Sequence, residues 1–269
     1  MSARSALPVI ATATTAALLL AGCTSTESTD SDGSKISLVS SGKLTTCTHL
    51  PYEPFQFKEG KKVVGFDVDL VDLVAEELDV EQEIVDTPFD GIQSGEDLNI
   101  RKCDVAAAGM TITKVRDENM DFSAPYFEAT QALITKKGKP YRSLADLRGR
   151  KLAVQEKTTG EVYAKEHGDG VKVVQFEDLA LLLTAVKTGQ VDAGINDNGV
   201  LYDYVKDNPD TDVSAEFDTG ETYGIGVRTG NDALRKKIDA VLEKARDDGR
   251  YDAIYKKWFG AAPEKTEKS

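Results

Sequence analysis

Nucleophilic and metal chemistry call for cysteine, histidine or activated serine at set spacings, and this 269-residue chain is poor in them, with three cysteines and two histidines. Cys23, Cys47 and Cys103 lack the paired close spacing of a zinc site and are too few for a disulfide scaffold. His49 and His167 stand far apart in sequence, and two such lone imidazoles are more often structural than catalytic. There is no Gly-x-Ser-x-Gly elbow, no phosphate loop and no Cys-His pair with motif support. An enzyme built on this chain would have to work with carboxylates alone. No metal and no cofactor is expected.

Acids dominate the charge. Asp plus Glu total 46 against 33 Lys plus Arg, a net charge of −13 that repels nucleic acid and anionic membrane surfaces. Nucleic acid is therefore not an expected partner. Hydrophobic residues at 40% and charged residues at 29% suit a folded soluble chain, long enough for one large domain or two lobes.

Residues 9–21 form an apolar run too short to span a bilayer comfortably and preceded by a single charge, Arg4, which fits a secretory signal. Leu20-Ala21-Gly22-Cys23 then resembles the lipobox of bacterial lipoproteins, which implies cleavage before Cys23 and a diacylglycerol on its sulfur. Residues 1–22 read as signal peptide and 23–35 as the lipidated cysteine and a flexible tether, because 24–34 contains no apolar residue. The exported part keeps 32 basic and 46 acidic residues, −14, since only Arg4 is removed. No later stretch is long and apolar enough to cross a bilayer. A monomer at the outer face of a cytoplasmic membrane is expected.

Beyond the tether, short β-like runs alternate with amphipathic helical ones, a rhythm that implies parallel sheets with crossover helices. The first helix is expected over 66–78, where Leu70, Val74 and Leu78 recur at four-residue spacing and Asp67 and Asp69 sit at the positive end of the dipole. Strands are expected at 43–48, 82–85 and 104–108, the last ending at Gly109, where backbone can be approached closely. A second series starts after Pro140. It has a Ser143/Asp146 capping box, strands at 151–154, 171–176 and 191–195, and helices from about 160, at 179–187 and at 200–206. A strand at 223–227 and helices at 232–246 and 251–259 close the fold, and 261–269 is a polar tail expected to be disordered.

Gly65-Phe-Asp-Val-Asp-Leu-Val-Asp-Leu-Val-Ala-Glu-Glu-Leu78 resembles the signature of family 3 extracellular solute-binding proteins, the polar amino-acid receptors of ABC importers. The likeness continues through 108–116, Asp121-Phe-Ser-Ala-Pro-Tyr-Phe127, 143–149 and Tyr251-Asp-Ala-Ile-Tyr-Lys-Lys-Trp-Phe-Gly260, in the same order over nearly the whole exported chain. The resemblance implies an α/β, two-lobe periplasmic-binding-protein fold of type II, with two hinge crossings and the ligand cleft between the lobes. Crossings near 128–131 and 219–223 would make 36–128 plus 223–260 the first lobe and 129–222 the second. It also implies capture of an amino acid, without turnover, for delivery to ABC permease subunits.

An amino acid needs a cation for its carboxylate, an acceptor for its ammonium and a wall for its side chain. By the resemblance Arg116 supplies the cation, its planar fork offering two parallel charge-assisted hydrogen bonds; a solvated pair with Asp117 or Glu118 is the bland alternative. Gly109, Met110 and Thr111 match the neighbouring loop, although Met110 could equally be filler. Asp197 matches the ammonium's partner, with Glu156 or Asp178 next in line. Thr158 and Thr159 match a loop reaching the carboxylate at a helix N-terminus, or else simply cap that helix. Tyr52 and Phe89 match the aromatic clamp on the ligand's aliphatic stem. Where many members of the family place an acid three residues before that tyrosine, this chain has His49, which puts recognition of a cationic side chain in doubt.

Two other classes compete with the receptor. Dehydratases occur on the same fold, so an exported cyclohexadienyl-type dehydratase is the alternative function. A membrane-receptor sensor domain is disfavoured because nothing after Phe259 can form a transmembrane helix. With Cys23 assigned to lipid, Cys47 and Cys103 in an exported protein favour a disulfide over two buried thiols that never meet.

Overall fold

The computed structural model describes residues 27–29, 35–139, 141–261 and 263. Residues 1–22 and Cys23 lie outside the described residues, as does most of 261–269. Within the stretch expected as tether, Glu27–Thr29 pairs antiparallel with Lys35–Ser37.

The alternation of strands and helices builds two α/β lobes, each on a five-stranded sheet. In the first, Lys43–Thr48 is flanked in parallel by Glu81–Asp86 and Val105–Ala106. Gly226–Arg228 lies antiparallel to Val105–Ala106 and to Met120–Phe122 at the edge. In the second, Lys151–Gln155 is flanked in parallel by Lys172–Phe176 and Ala193–Asp197. Phe127–Lys136 runs antiparallel to Ala193–Asp197, and Thr211–Tyr223 antiparallel to Phe127–Lys136.

Both sheets are thus mixed, where parallel sheets are expected from the sequence. The cause is the double crossing. The chain leaves the first sheet after Met120–Phe122, enters the second as Phe127–Lys136, and returns on Thr211–Tyr223 beside it. A strand coming back next to the one that left must run the other way. At the crossing Phe127 faces Tyr223, Glu128 faces Thr222 and Ala129 faces Glu221. The single strand expected at 223–227 is for this reason divided between two sheets.

The helix Phe66–Glu77 buries Phe66, Leu70, Val71 and Val74, and each such side chain contributes roughly 1.5–3 kcal/mol over an exposed one. Behind the crossing Phe55, Phe127, Tyr223 and Phe259 pack ring to ring, with centroids 4.9 Å apart for Phe55 and Phe127 and 5.2 Å for both Phe55–Tyr223 and Phe127–Phe259. This cluster fixes the backbone from which Tyr52 and Tyr223 project. Cys47 and Cys103 are bridged, with Cα atoms 5.6 Å apart, tying Lys43–Thr48 to the segment leading into Val105–Ala106. Among the described residues no helix is long and apolar enough to cross a membrane.

Candidate functional site

The residues singled out in the sequence fall at the carboxyl ends of the parallel strands, where open α/β sheets bind their ligands. His49 and Tyr52 follow Lys43–Thr48, Gly109 and Thr111 follow Val105–Ala106, Thr158 and Thr159 follow Lys151–Gln155, and Asp197 ends Ala193–Asp197. All seven, with Phe89 and Arg116, line one narrow cleft between the lobes, together with Gln56, Ala108 and Gln155. Met110 is not brought there: its side chain is fully buried in the apolar cluster around Cys47 and Met120, and its carbonyl accepts from the Gly224 amide at 3.1 Å. It is core filler.

Asp197 is the last strand residue rather than one that follows the strand. Its buried carboxylate accepts hydrogen bonds from the Tyr52 hydroxyl at 2.7 Å, from the Tyr223 hydroxyl and from the Gln131 amide. Burial and the neighbouring Glu221 carboxylate push its pKa up to about 6 in spite of these donors. Asp178 is committed elsewhere: it caps the helix Leu179–Thr188, accepting from the Leu181 amide at 2.7 Å.

Arg116 is buried, in the short helix Lys114–Asp117 capped by Thr113, and its guanidinium turns to backbone carbonyls rather than to Asp117 or Glu118. Nη1 donates to the Thr111 carbonyl at 2.7 Å and Nη2 to the Lys157 carbonyl in the other lobe at 3.2 Å. The guanidinium carbon lies 5.3 Å from the centre of the Phe89 ring. Burial lowers the guanidinium pKa, and the charges of Asp197 and Glu221 counter it. Thr158 is the N-cap of Thr159–His167, accepting from the Glu161 amide at 3.3 Å while its hydroxyl donates to the Gln155 carbonyl at 2.7 Å. Capping and position at the cavity therefore hold together for this residue.

Gly109 takes a positive φ of 56°, and a Cβ there would lie 2.7 Å from Tyr52 Cε1. Its amide donates to Asp67 Oδ2 at 2.7 Å, and Tyr126 donates to the other oxygen of that carboxylate at 2.8 Å. Asp67 therefore pins the loop, and its burial raises its own pKa to about 7. His49 Nδ1 lies 3.0 Å from the Thr87 carbonyl oxygen, which can only accept, so Nδ1 carries the proton. The other nitrogen, Nε2, is buried with no hydrogen-bond partner among the described residues, at the cavity wall. Among the described residues no group of three His, Cys, Asp or Glu side chains converges to hold a metal.

Sequence reasoning missed Gln131, Asn196, Glu221 and Tyr223. Gln131 is fully buried in the strand Phe127–Lys136 and bridges Asp197 and Glu221 with its amide. A glutamine inside the run Ala129-Thr-Gln-Ala-Leu-Ile134 was a signal, because buried amides need partners. Glu221 and Tyr223 belong to the second crossing, and nothing in their local pattern separates a hinge residue from a site residue.

A cleft between two α/β lobes, with one buried cation, one buried carboxylate and hydroxyls around them, has the architecture of a binding protein for a small polar molecule. Residues 44–261 match the family described as bacterial extracellular solute-binding proteins, family 3, and the chain belongs to it. A probable histidine-binding protein of Neisseria gonorrhoeae is 37% identical over 216 residues, 77% of this chain and 80% of that protein. An ancestral arginine-binding protein solved with arginine superposes with a TM-score of 0.78 at 44% identity, covering 81% of this chain and 99% of that one. An ancestral amino-acid-binding protein, a precursor of cyclohexadienyl dehydratase, superposes with a TM-score of 0.74 at 36% identity, covering 81% and 95%.

Proposed function

We propose that this protein is the extracytoplasmic receptor of an ABC importer. It captures a free amino acid by closure of its two lobes, 36–128 with 223–260 and 129–222, and delivers it to the membrane permease. The observation that carries this reading is the placement of Arg116 from one lobe and Asp197 from the other at one cavity, both buried. Arg116 takes the ligand's carboxylate with the hydroxyls of Thr111 and Thr159, and Asp197 takes its ammonium. Tyr52, Phe89 and His49 wall the side chain. In this reading the protein works as a monomer, carried on the outer face of the cytoplasmic membrane by a lipid on Cys23.

A thermal-shift screen of the twenty amino acids with cystine and polyamines tests it, since a ligand bound only by the native state raises the melting temperature by mass action. At least one amino acid should raise it by several degrees. No shift from any of them sinks the reading.

The dehydratase reading has one observation in its favour, a buried carboxylate at Asp197 whose pKa near 6 suits a general acid. Product from prephenate or arogenate would carry it, and unchanged substrate removes it.

A further inference from the structure

Glu221 is a carboxylate near the cavity that the proposed recognition of an amino acid does not use. It sits at the end of the strand Thr211–Tyr223, just past a register shift between Phe217 and Glu221 that re-aims its side chain. One oxygen, Oε2, accepts hydrogen bonds from the Thr111 hydroxyl at 2.9 Å and the Thr159 hydroxyl at 2.9 Å. The Gln131 amide lies 3.2 Å from each carboxylate oxygen. Thr111 belongs to the loop of the first sheet and Thr159 to the helix of the second, so this single oxygen joins the two lobes. The charge of Glu221 also acts on Arg116 and on Asp197. Glu221 therefore holds the two hydroxyls, beside the same guanidinium, that a ligand's carboxylate would take.

We propose that Glu221 is a built-in competitor for the carboxylate subsite and a selectivity residue of the cleft. A ligand's carboxylate has to displace the Glu221 carboxylate from Thr111 and Thr159, and a ligand with a second negative charge meets Glu221 as a like charge. Arg116 with Asp197 balances a zwitterion; the added Glu221 leaves the cleft one negative charge in excess, which disfavours acidic amino acids most. The proposal rests on the amino-acid reading of the site.

The test compares wild type with Glu221→Gln, which keeps the shape and an accepting carbonyl but loses the charge, and with Glu221→Ala. Calorimetric titrations with glutamine, glutamate and arginine at neutral pH should show at least a tenfold gain in affinity for Glu221→Gln, larger for glutamate than for arginine. Unchanged affinities overturn the proposal, and so does weaker binding of all three, which would make Glu221 a ligand contact. Melting without added ligand reads the contact independently: Glu221→Ala should unfold several degrees below wild type because the bonds joining the two lobes are lost. An unchanged melting temperature overturns the proposal. If melting drops but neither wild type nor variant binds any amino acid, the contact stands and the amino-acid reading falls instead.

Discussion

The Tyr52 hydroxyl donates to Asp197 Oδ2 at 2.7 Å, with Asn196 Oδ1 at the same distance, across 145 residues of sequence and from one lobe to the other. Tyr52 is thus more than the apolar wall its motif position suggests. Its ring covers Gly109, while its hydroxyl orients the carboxylate proposed for the ligand's ammonium. Tyr223 reaches the same oxygen from the crossing. The carboxylate is held by donors from both lobes and from the crossing.

Arg116→Lys should lose most amino-acid affinity and keep its fold. A lysine carries one compact charge and cannot present two parallel donors while also reaching the Thr111 and Lys157 carbonyls that the guanidinium now spans. The expected cost is roughly 2–5 kcal/mol, that of spoiling a desolvated charge pair. Titration calorimetry beside a melting curve separates the two effects; wild-type affinity in the variant would remove Arg116 from the site.

The helices with a full amphipathic face were legible before the structure: 66–78 is found as Phe66–Glu77 and 179–187 as Leu179–Thr188, with Asp178 and Gly189 as caps. Phe89–Gln93 and Glu96–Asn99, at five and four residues, are shorter than the window in which a 3.6-residue period can be read. The mixed sheets were not legible either, because strand direction at a crossing depends on a partner some ninety residues away, as with Ala129 and Glu221. The site residues were reached through the family resemblance, which is carried by segments such as Gly109 to Arg116. Glu221 escaped because its partners come together only where the two crossings meet, and Gln131 left no more than the signal of a glutamine in an apolar run.

Cys23→Ser should release the protein from membranes into the medium. Fractionation of membranes and medium decides it, and a variant that stays as firmly membrane-bound as wild type disproves the anchor.

Removing the disulfide with Cys47→Ala and Cys103→Ala should destabilise the fold far more than it alters ligand affinity. The bridge spans 56 residues of sequence, worth about 4 kcal/mol in the chain-entropy account. It sits in the apolar cluster with Met110, behind the loop rather than at the cavity. Urea unfolding gives the size of the loss. Mass spectrometry of alkylated, unreduced wild type should find Cys47 and Cys103 in one linked pair of peptides, and two alkylated thiols would refute the bridge.

Gly109→Ala should weaken binding by displacing Tyr52. The residue takes φ of 56°, and the new methyl would stand 2.7 and 2.9 Å from two carbons of the tyrosine ring, which must then move away from Asp197. The left-handed backbone adds roughly 1–2 kcal/mol of strain. Tyrosine fluorescence together with calorimetry reads both consequences, and an unchanged dissociation constant would mean that the Tyr52 ring is not part of the wall.

Affinity and stability should respond to pH in opposite directions through Asp197. To hold an ammonium its carboxylate must be ionised, and its pKa of about 6 places protonation just below neutrality. The dissociation constant should therefore be flat above about pH 7 and rise toward tenfold per pH unit below 6. Asp197→Asn should bind weakly at every pH, without that slope. Stability follows the opposite sign: an acid whose folded pKa lies above its unfolded 3.8 binds its proton more tightly when folded. Its contribution is fully present below the unfolded value and is lost as pH rises through about 6, on the order of 3 kcal/mol. Asp67, raised to about 7, adds to the same trend, so the Asp197 share is the difference between wild type and Asp197→Asn in urea unfolding between pH 5 and 7.5. A wild-type affinity that stays constant from pH 7.5 down to 5 would take the ammonium away from Asp197.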